Sequence, residues 1–269
     1  MSAAPPLDSD QDTALKVFIT GASSGIGRAL AEHYAGQGAR LGLVARREHL
    51  LDSLAKRWPG QTVCFSVDVT DAPALASAAD AFTTRFGAPD IVIANAGVSV
   101  GTLTEHAADL EAIRRVIEVN LFGIAATFSP FIAAMRQAGS GRLVGIASVA
   151  GIRGLPGAGA YSASKAAAIS YLESLRIELR GSGVRVVTIC PGYVETPMTE
   201  GNPFPMPFLM PAEEAAQRFS RAIARGDSYR VIPWQMALAA RLLRMLPNAI
   251  YDRLLTRAPR KPRNSDTAL

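Results

Sequence analysis

Three side chains in one stretch have the types and spacing needed to move a proton onto or off an oxygen. Tyr161 and Lys165 stand four residues apart at the start of a helical apolar pattern (Ala166, Ile169, Leu172, Leu175, Leu179), a spacing that puts a phenol and an ammonium on one helix face. Upstream, Ser148 closes the apolar run 142–147, which reads as a buried strand, and a loop rich in Gly and Pro separates it from Tyr161. A phenol ionises near pH 10, so it works as a general acid or base at neutral pH only when a neighbouring cation favours the phenolate. Lys165 is the expected cation, and Ser148 adds a hydroxyl beside the phenol. Taken alone, the Tyr-x-x-x-Lys pattern also describes an ordinary pair on a helix surface.

A second constellation lies far upstream. Leu15 to Thr20 reads as a short strand, the turn Gly21-Ala-Ser-Ser-Gly-Ile-Gly27 follows, and 26–37 reads as a helix. Glycines let a backbone turn tightly and let a phosphate approach. The helix start then offers unpaired N–H groups and the positive end of a dipole.

Together these motifs resemble the short-chain dehydrogenase/reductase (SDR) family. The matches occur in the family's order: Thr20 to Gly27, Asn95-Ala96-Gly97, Asn120 within Val119-Asn-Leu-Phe-Gly123, Ser148, Tyr161 to Lys165, and Pro191-Gly192. They cover roughly residues 15–232. The resemblance implies an α/β fold, a Rossmann-like doubly wound sheet of seven mainly parallel strands with helices on both faces. It implies a catalytic set of Asn120, Ser148, Tyr161 and Lys165, with Asn120 holding a proton relay to Lys165. For the cofactor it implies Gly21, Ser23, Ser24, Gly25, Ile26 and Gly27 at the glycine turn and Asp68 with Val69 at the adenine. Asn95, Ala96 and Gly97 fall near the ribose, Tyr161 and Lys165 at the nicotinamide ribose, and Pro191, Gly192, Val194 and Thr196 at the nicotinamide end. The second strand ends in Ala45-Arg46-Arg47, without the carboxylate that would bind the 2′-OH of NAD. Arg46 and Arg47 instead suit a 2′-phosphate, so NADP(H) is the expected cofactor.

Bulk composition is compatible with this. Half the 269 residues are hydrophobic (49%) and 19% are charged, enough to bury one large core. Residues 1–13 read as a disordered leader without the apolar stretch of a secretory signal, 14–232 as the catalytic domain and 233–269 as an extension. No run of eighteen apolar residues is evident. Cys64 and Cys190 read as small apolar thiols in strands, and His33, His49 and His106 show no metal-ligand spacing. A cytoplasmic setting is expected, and no metal.

The net charge of +5 is concentrated at one end. Residues 230–263 hold eight basic side chains against Asp252 alone, a net of +7, which leaves −2 for the remainder. Nucleic acid is therefore not the expected partner. The segment Trp234 to Leu246 places Arg241 and Arg244 on one narrow side of a helix with Trp, Leu and Met around the rest, a face too broad to be left bare. Two readings stand: packing on the body or in a dimer contact, or an interfacial anchor on anionic membrane lipid. An apolar stretch, 197–211, reads as a lid over a hydrophobic carbonyl or alcohol substrate. The resemblance implies a homodimer through the helices carrying Asn120 and Tyr161. The rival readings are an alcohol dehydrogenase working in the oxidative direction and a cofactor-binding scaffold or membrane-attached sensor without turnover.

Overall fold

The structure, a computed structural model, describes residues 14–202, 204–256, 258 and 260–263; the leader read at 1–13 lies outside the described residues. Seven parallel strands form one sheet: β1 (Lys16–Thr20), β2 (Arg40–Ala45), β3 (Thr62–Ser66), β4 (Ile91–Ala94), β5 (Gly141–Ile146), β6 (Val184–Pro191) and β7 (Tyr229–Ile232). Their order is β3-β2-β1-β4-β5-β6-β7. Alternate residues of each strand enter opposite layers, as the two-residue period of a strand requires. Val17 and Ile19 join Leu30 and Tyr34 of helix α1 (Gly25–Ala35) and Phe219 of helix α8 (Ala212–Arg225). Between them, Phe18 faces the other layer and meets Phe82 of α3 (Ala72–Phe86) and Phe131 of α5 (Gly123–Ala138) at ring-centroid distances of 5.5 and 4.8 Å. Both faces are covered, which is why the strands read as continuous apolar runs.

The strand order reverses between β1 and β4, so the crossovers leaving these two strands diverge and open a crevice at their carboxyl ends. Thr20, Asn95, Ser148 and Pro191 all lie on that rim. The remaining helices are α2 (Glu48–Ala55), α4 (Asp109–Ile117), α6 (Gly159–Glu178), the single turn α7 (Pro197–Glu200), α9 (Trp234–Met245) and α10 (Asn248–Leu255).

The sequence reading of a long helix broken near Asn120 matches a turn of π-helix, Glu118–Phe122, joining α4 to α5. One expectation is corrected here. The continuous helical stretch Asp109–Ala138 is long and apolar enough to cross a membrane. Half of its most apolar window is buried inside the fold, with Phe128, Phe131 and Met135 in the core, so core packing accounts for its composition.

Candidate active site

The glycine turn is built as a phosphate cradle. Gly21 and Gly25 have φ of +69° and +53°, in the region that penalises a Cβ. At Gly27 a Cβ would lie 2.2 Å from the Gly21 carbonyl oxygen, so any side chain there would force α1 away from the turn. The turn is fastened from β4: the Asn95 amide donates to the carbonyls of Thr20 (3.1 Å) and Gly21 (3.3 Å), and the Asn95 N–H donates to Thr20 Oγ1 (3.2 Å). Asn95 is thus committed to holding the turn's shape. Ser24 precedes α1 in an extended conformation, and its hydroxyl makes no capping bond to the helix. The first N–H groups of α1 are left facing the cleft.

The cleft has a volume of about 270 Å³. Gly21, Ser23, Ser24, Gly25 and Ile26 line one end, Gly27 lying behind them. Arg47 crosses this end and donates to the hydroxyls of Ser23 (3.1 Å) and Ser24 (2.8 Å). Arg46 turns instead toward Asp68, at 3.8 Å. Asp68 is further engaged by Arg115 Nη2 (2.5 Å) and by the N–H and hydroxyl of Thr70 (3.0 and 2.8 Å). Those bonds lower its pKa against the opposing effect of burial. The carboxylate expected at an adenine is therefore first of all an ion-pair partner of α4. Arg115 escaped the sequence reading, its one signal being an adjacent pair of arginines on a helix that is otherwise largely apolar.

At the other end of the cleft, β5 delivers Ser148 and the first turn of α6 delivers Tyr161 and, one turn on, Lys165. Ser148, Lys165 and Asn120 are all buried. Lys165 Nζ donates to the Ile146 carbonyl (2.8 Å) and lies 5.8 Å from the centroid of the Tyr161 ring. Burial raises the Tyr161 phenol, while the nearby Ser148 side chain favours ionisation. Burial also pushes the Lys165 ammonium down from 10.5 to about 8. The expectation that Lys165 lowers the phenol is not met, because desolvation governs both groups and the ammonium is held on a backbone carbonyl. Cys190, fully buried beside this pair, is pushed up to about 11 and stays a neutral thiol.

Asn120 joins the two halves of the site. Its Oδ1 accepts from Val98 N–H (2.8 Å), and its Nδ2 donates to the Val98 carbonyl and to Ser164 Oγ (2.9 Å each). Ser164 in turn donates to the Tyr161 carbonyl (2.8 Å). The π-turn aims Asn120 inward between these partners. A Cβ on Gly97 would come within 3.2 Å of Asn120 Oδ1 and 3.5 Å of Lys165 Nζ. Asn120→Ala is therefore expected to leave the Val98 N–H and carbonyl without this partner and to take one of two bonds from the buried Ser164 hydroxyl, costing about 2–4 kcal/mol and lowering Tm by roughly 5–12 °C for a chain of this size. A calorimetric Tm within 1–2 °C of wild type, well below that roughly estimated shift, would show that Asn120 does not hold the site together.

The loop after β6 closes the side of the cleft where the resemblance puts the nicotinamide. The Gly192 N–H donates to the Ile232 carbonyl (2.8 Å), Val194 is buried, and Thr196 caps α7 jointly with Thr199. A Cβ on Gly25 would lie 3.0 Å from the Thr196 methyl, so this loop and the glycine turn meet across the cleft. Pro191, Gly192, Val194 and Thr196 all line it, as do Val69, Ala96 and Gly97.

A family model described as short chain dehydrogenase matches residues 15–203. The chain belongs to the short-chain dehydrogenase family. An uncharacterized oxidoreductase of Myxococcus xanthus is 42% identical over 238 residues, 87% of this chain and 94% of that protein. Among solved structures, a short-chain dehydrogenase of Burkholderia cenocepacia in complex with NADP superposes with a TM-score of 0.79 at 28% identity, covering 90% of this chain and 98% of that one. One of Burkholderia phymatum in complex with NAD gives 0.78 at 27%, covering 96% and 99%. This short-chain dehydrogenase is an oxidoreductase whose cleft fits a nicotinamide dinucleotide: the phosphate cradle, the helix start and the cationic rim are all in place.

Past the family's core, the C-terminal segment packs on the body beside the cleft. Arg153 lies over the Tyr251 ring (3.7 Å to the centroid) and donates to Leu246 O and Asn248 Oδ1, while Tyr251 donates to Gly154 O. The chain then returns across the loops that flank Tyr161. Lys261 Nζ donates to Ser99 Oγ (2.9 Å), Gly101 N–H donates to Pro262 O (3.2 Å), and Arg263 grips Asp109 with two bonds of 2.8 and 2.9 Å. Gly101 and Gly157 are the seats of this strap: a Cβ on either would strike Lys261 O (2.3 Å) or Arg260 Cβ (2.8 Å).

Proposed function

We propose that this enzyme reduces a ketone or aldehyde on a hydrophobic substrate, with NADPH as the hydride source. The observation that carries the reading is the convergence of Ser148, Tyr161 and Lys165 at the end of a cleft whose other end is the glycine cradle crossed by Arg47. When bound, the cofactor supplies the hydride. Ser148 holds and polarises the substrate oxygen by donating its hydroxyl proton. Tyr161, kept protonated through neutral pH by its burial, gives its proton to that oxygen as negative charge develops. Lys165 holds a positive charge behind the phenol, and Asn120 fixes the backbone on which both sit. The lid read at 197–211 leaves Met198, Phe208 and Leu209 exposed toward solvent, which suits an apolar substrate. The same residues serve oxidation of an alcohol in the reverse direction.

NADPH preference rests on Arg47 and Arg46 with Ala45 before them, where an acid would repel a 2′-phosphate. A hydrogen bond to a charged group contributes about 1.5–3 kcal/mol. Arg47→Ala is therefore expected to raise KM for NADPH by about 10- to 100-fold and that for NADH by much less. Equal effects on the two cofactors would overturn the assignment. The reading itself is tested by following NADPH and NADH consumption against carbonyls graded by chain length. A homodimer through α4, α5 and α6 is part of the proposal, supported by the exposed Leu110 on α4, Phe122 on the π-turn before α5 and Ile177 on α6; light scattering showing a monomer at working concentration would remove it.

A further inference from the structure

Between α8, β7 and α9 runs a groove of about 950 Å³. Its lining combines two kinds of chemistry. On α8, Arg218, Arg221 and Arg225 recur at intervals of three and four, so they form one row; Arg230 on β7 and Arg241 and Arg244 on α9 complete a set of six. Against these six stand two carboxylates, Glu214 paired with Arg218 and Asp227 paired with Arg225 and Arg230. Arg244 is occupied by the Ile152 carbonyl. Among the described residues, Arg221 and Arg241 have no ion-pair partner.

Beside Arg241 and Arg244, α9 also carries an apolar stripe. Trp234, Leu238, Leu242 and Met245 recur every three or four residues along α9 and line the groove. Trp234 is 69% exposed and Met245 73%, although packing of the segment on the body has already occurred through Arg153, Arg244 and Tyr251. The outward face is therefore surplus to folding, and beside it six arginines stand against two carboxylates.

We infer that this face docks on an anionic phospholipid surface, with the arginines on lipid phosphates and the α9 stripe in the acyl boundary. Guanidinium forks match phosphate oxygens. Trp suits the headgroup level, and Leu and Met suit the hydrocarbon just below it. Charge argues against a second copy of this chain as the occupant. A two-fold contact through the groove would bring the arginine rows of two copies close together with no acidic patch to receive them. The docked face is also continuous with the cleft: Pro233 and Met236, which begin α9, pack against Gly192 of the loop beside the nicotinamide end, where a Cβ would lie 2.7 Å from Met236. Delivery of bilayer-dissolved substrate to that loop rests on the reductase reading, whereas docking does not.

The test is co-sedimentation of the full chain with vesicles of phosphatidylcholine alone and with about a third of the lipid replaced by phosphatidylglycerol. A Trp58→Phe background lets Trp234 report by fluorescence. Binding to the anionic vesicles is expected, about tenfold or more tighter than to the neutral ones, weakening as salt is raised, with a blue shift of Trp234. Arg241→Glu and, separately, Leu238→Asp, both at exposed positions, are expected to weaken binding about tenfold each while turnover of a water-soluble ketone stays at the wild-type rate. No binding to anionic vesicles at low salt overturns the proposal, as does equal binding to neutral vesicles. So does a concentration-dependent dimer that Leu238→Asp converts to monomer, which would make the face a contact between copies.

Discussion

Tyr161→Phe is expected to lower turnover about a thousandfold while leaving cofactor affinity within a few-fold of wild type. The substitution removes one oxygen and its proton and keeps the ring at the start of α6, so the packing of the helix on β5 has no reason to change. On the proposed reading cofactor affinity is carried elsewhere, by the glycine turn, the start of α1, Arg47 and the loop after β6. Ser148 remains to polarise the substrate oxygen, but an aliphatic hydroxyl is a far weaker acid than a phenol and a poor proton donor. The measurement is single-turnover loss of NADPH absorbance beside a fluorescence titration of NADPH binding. Loss of chemistry with binding intact is the signature of a proton donor. If wild type and variant bind NADPH alike and neither turns over any carbonyl in the panel, the fold serves as a cofactor-binding scaffold and the proton-transfer reading falls.

What was legible in the sequence was whatever local chemistry enforces. The glycine turn is one such feature, because a side chain at Gly21 would combine an unfavourable φ of +69° with a 2.8 Å approach to Ala96 Cα, and one at Gly27 would lie 2.2 Å from a carbonyl oxygen. Tyr161 and Lys165 are another, because helix geometry alone brings residues four apart together. Asn120 and Gly123 marked the break in the long helix, since both are poor helix formers, and the structure resolves the break as a π-turn.

The rest depended on partners distant in sequence. Nothing around Asp68 announces that Arg115, 47 residues later, holds it. Arg46 and Arg47 are neighbours of the same type, yet one faces Asp68 and the other the serine hydroxyls, a choice made by the start of α2 and not by composition. The strap over Gly101 and Gly157 joins segments more than a hundred residues apart, and nothing in the sequence reading pointed to it. The effect of Lys165 on Tyr161 was misjudged for the same reason: proximity was readable from the helical spacing, but the depth of burial was not, and burial governs both groups. The broad apolar face of α9 was expected to be covered, and packing covers only one side of it.

Lys165→Met is expected to leave only residual turnover and, at pH 7, to make the protein more stable. The ammonium ordinarily titrates at 10.5 and is pushed to about 8 in the fold, so the native state binds this proton less tightly than the unfolded chain does. The sign follows from linkage. Below pH 8 both states are charged, and the native state carries the full cost of burying the ammonium, about 3 kcal/mol from the difference between the two values. From pH 8 to 10.5 the native state has released its proton and the unfolded state has not, so wild-type stability gains with rising pH across that window. Methionine fills similar volume without the charge. It forfeits the bond to the Ile146 carbonyl, which offsets the gain by about 1–2 kcal/mol. The variant should therefore unfold at higher denaturant at pH 7, with the difference shrinking as pH approaches 10.5. Activity runs the other way. Wild-type kcat/KM for reduction should fall as pH rises through about 8 and the positive charge behind Tyr161 is lost, whereas the residual activity of the variant should show no such limb. A variant less stable than wild type at pH 7 would mean that the Ile146 bond outweighs the buried charge. A limb near pH 8 that survives the substitution would assign that titration to another group.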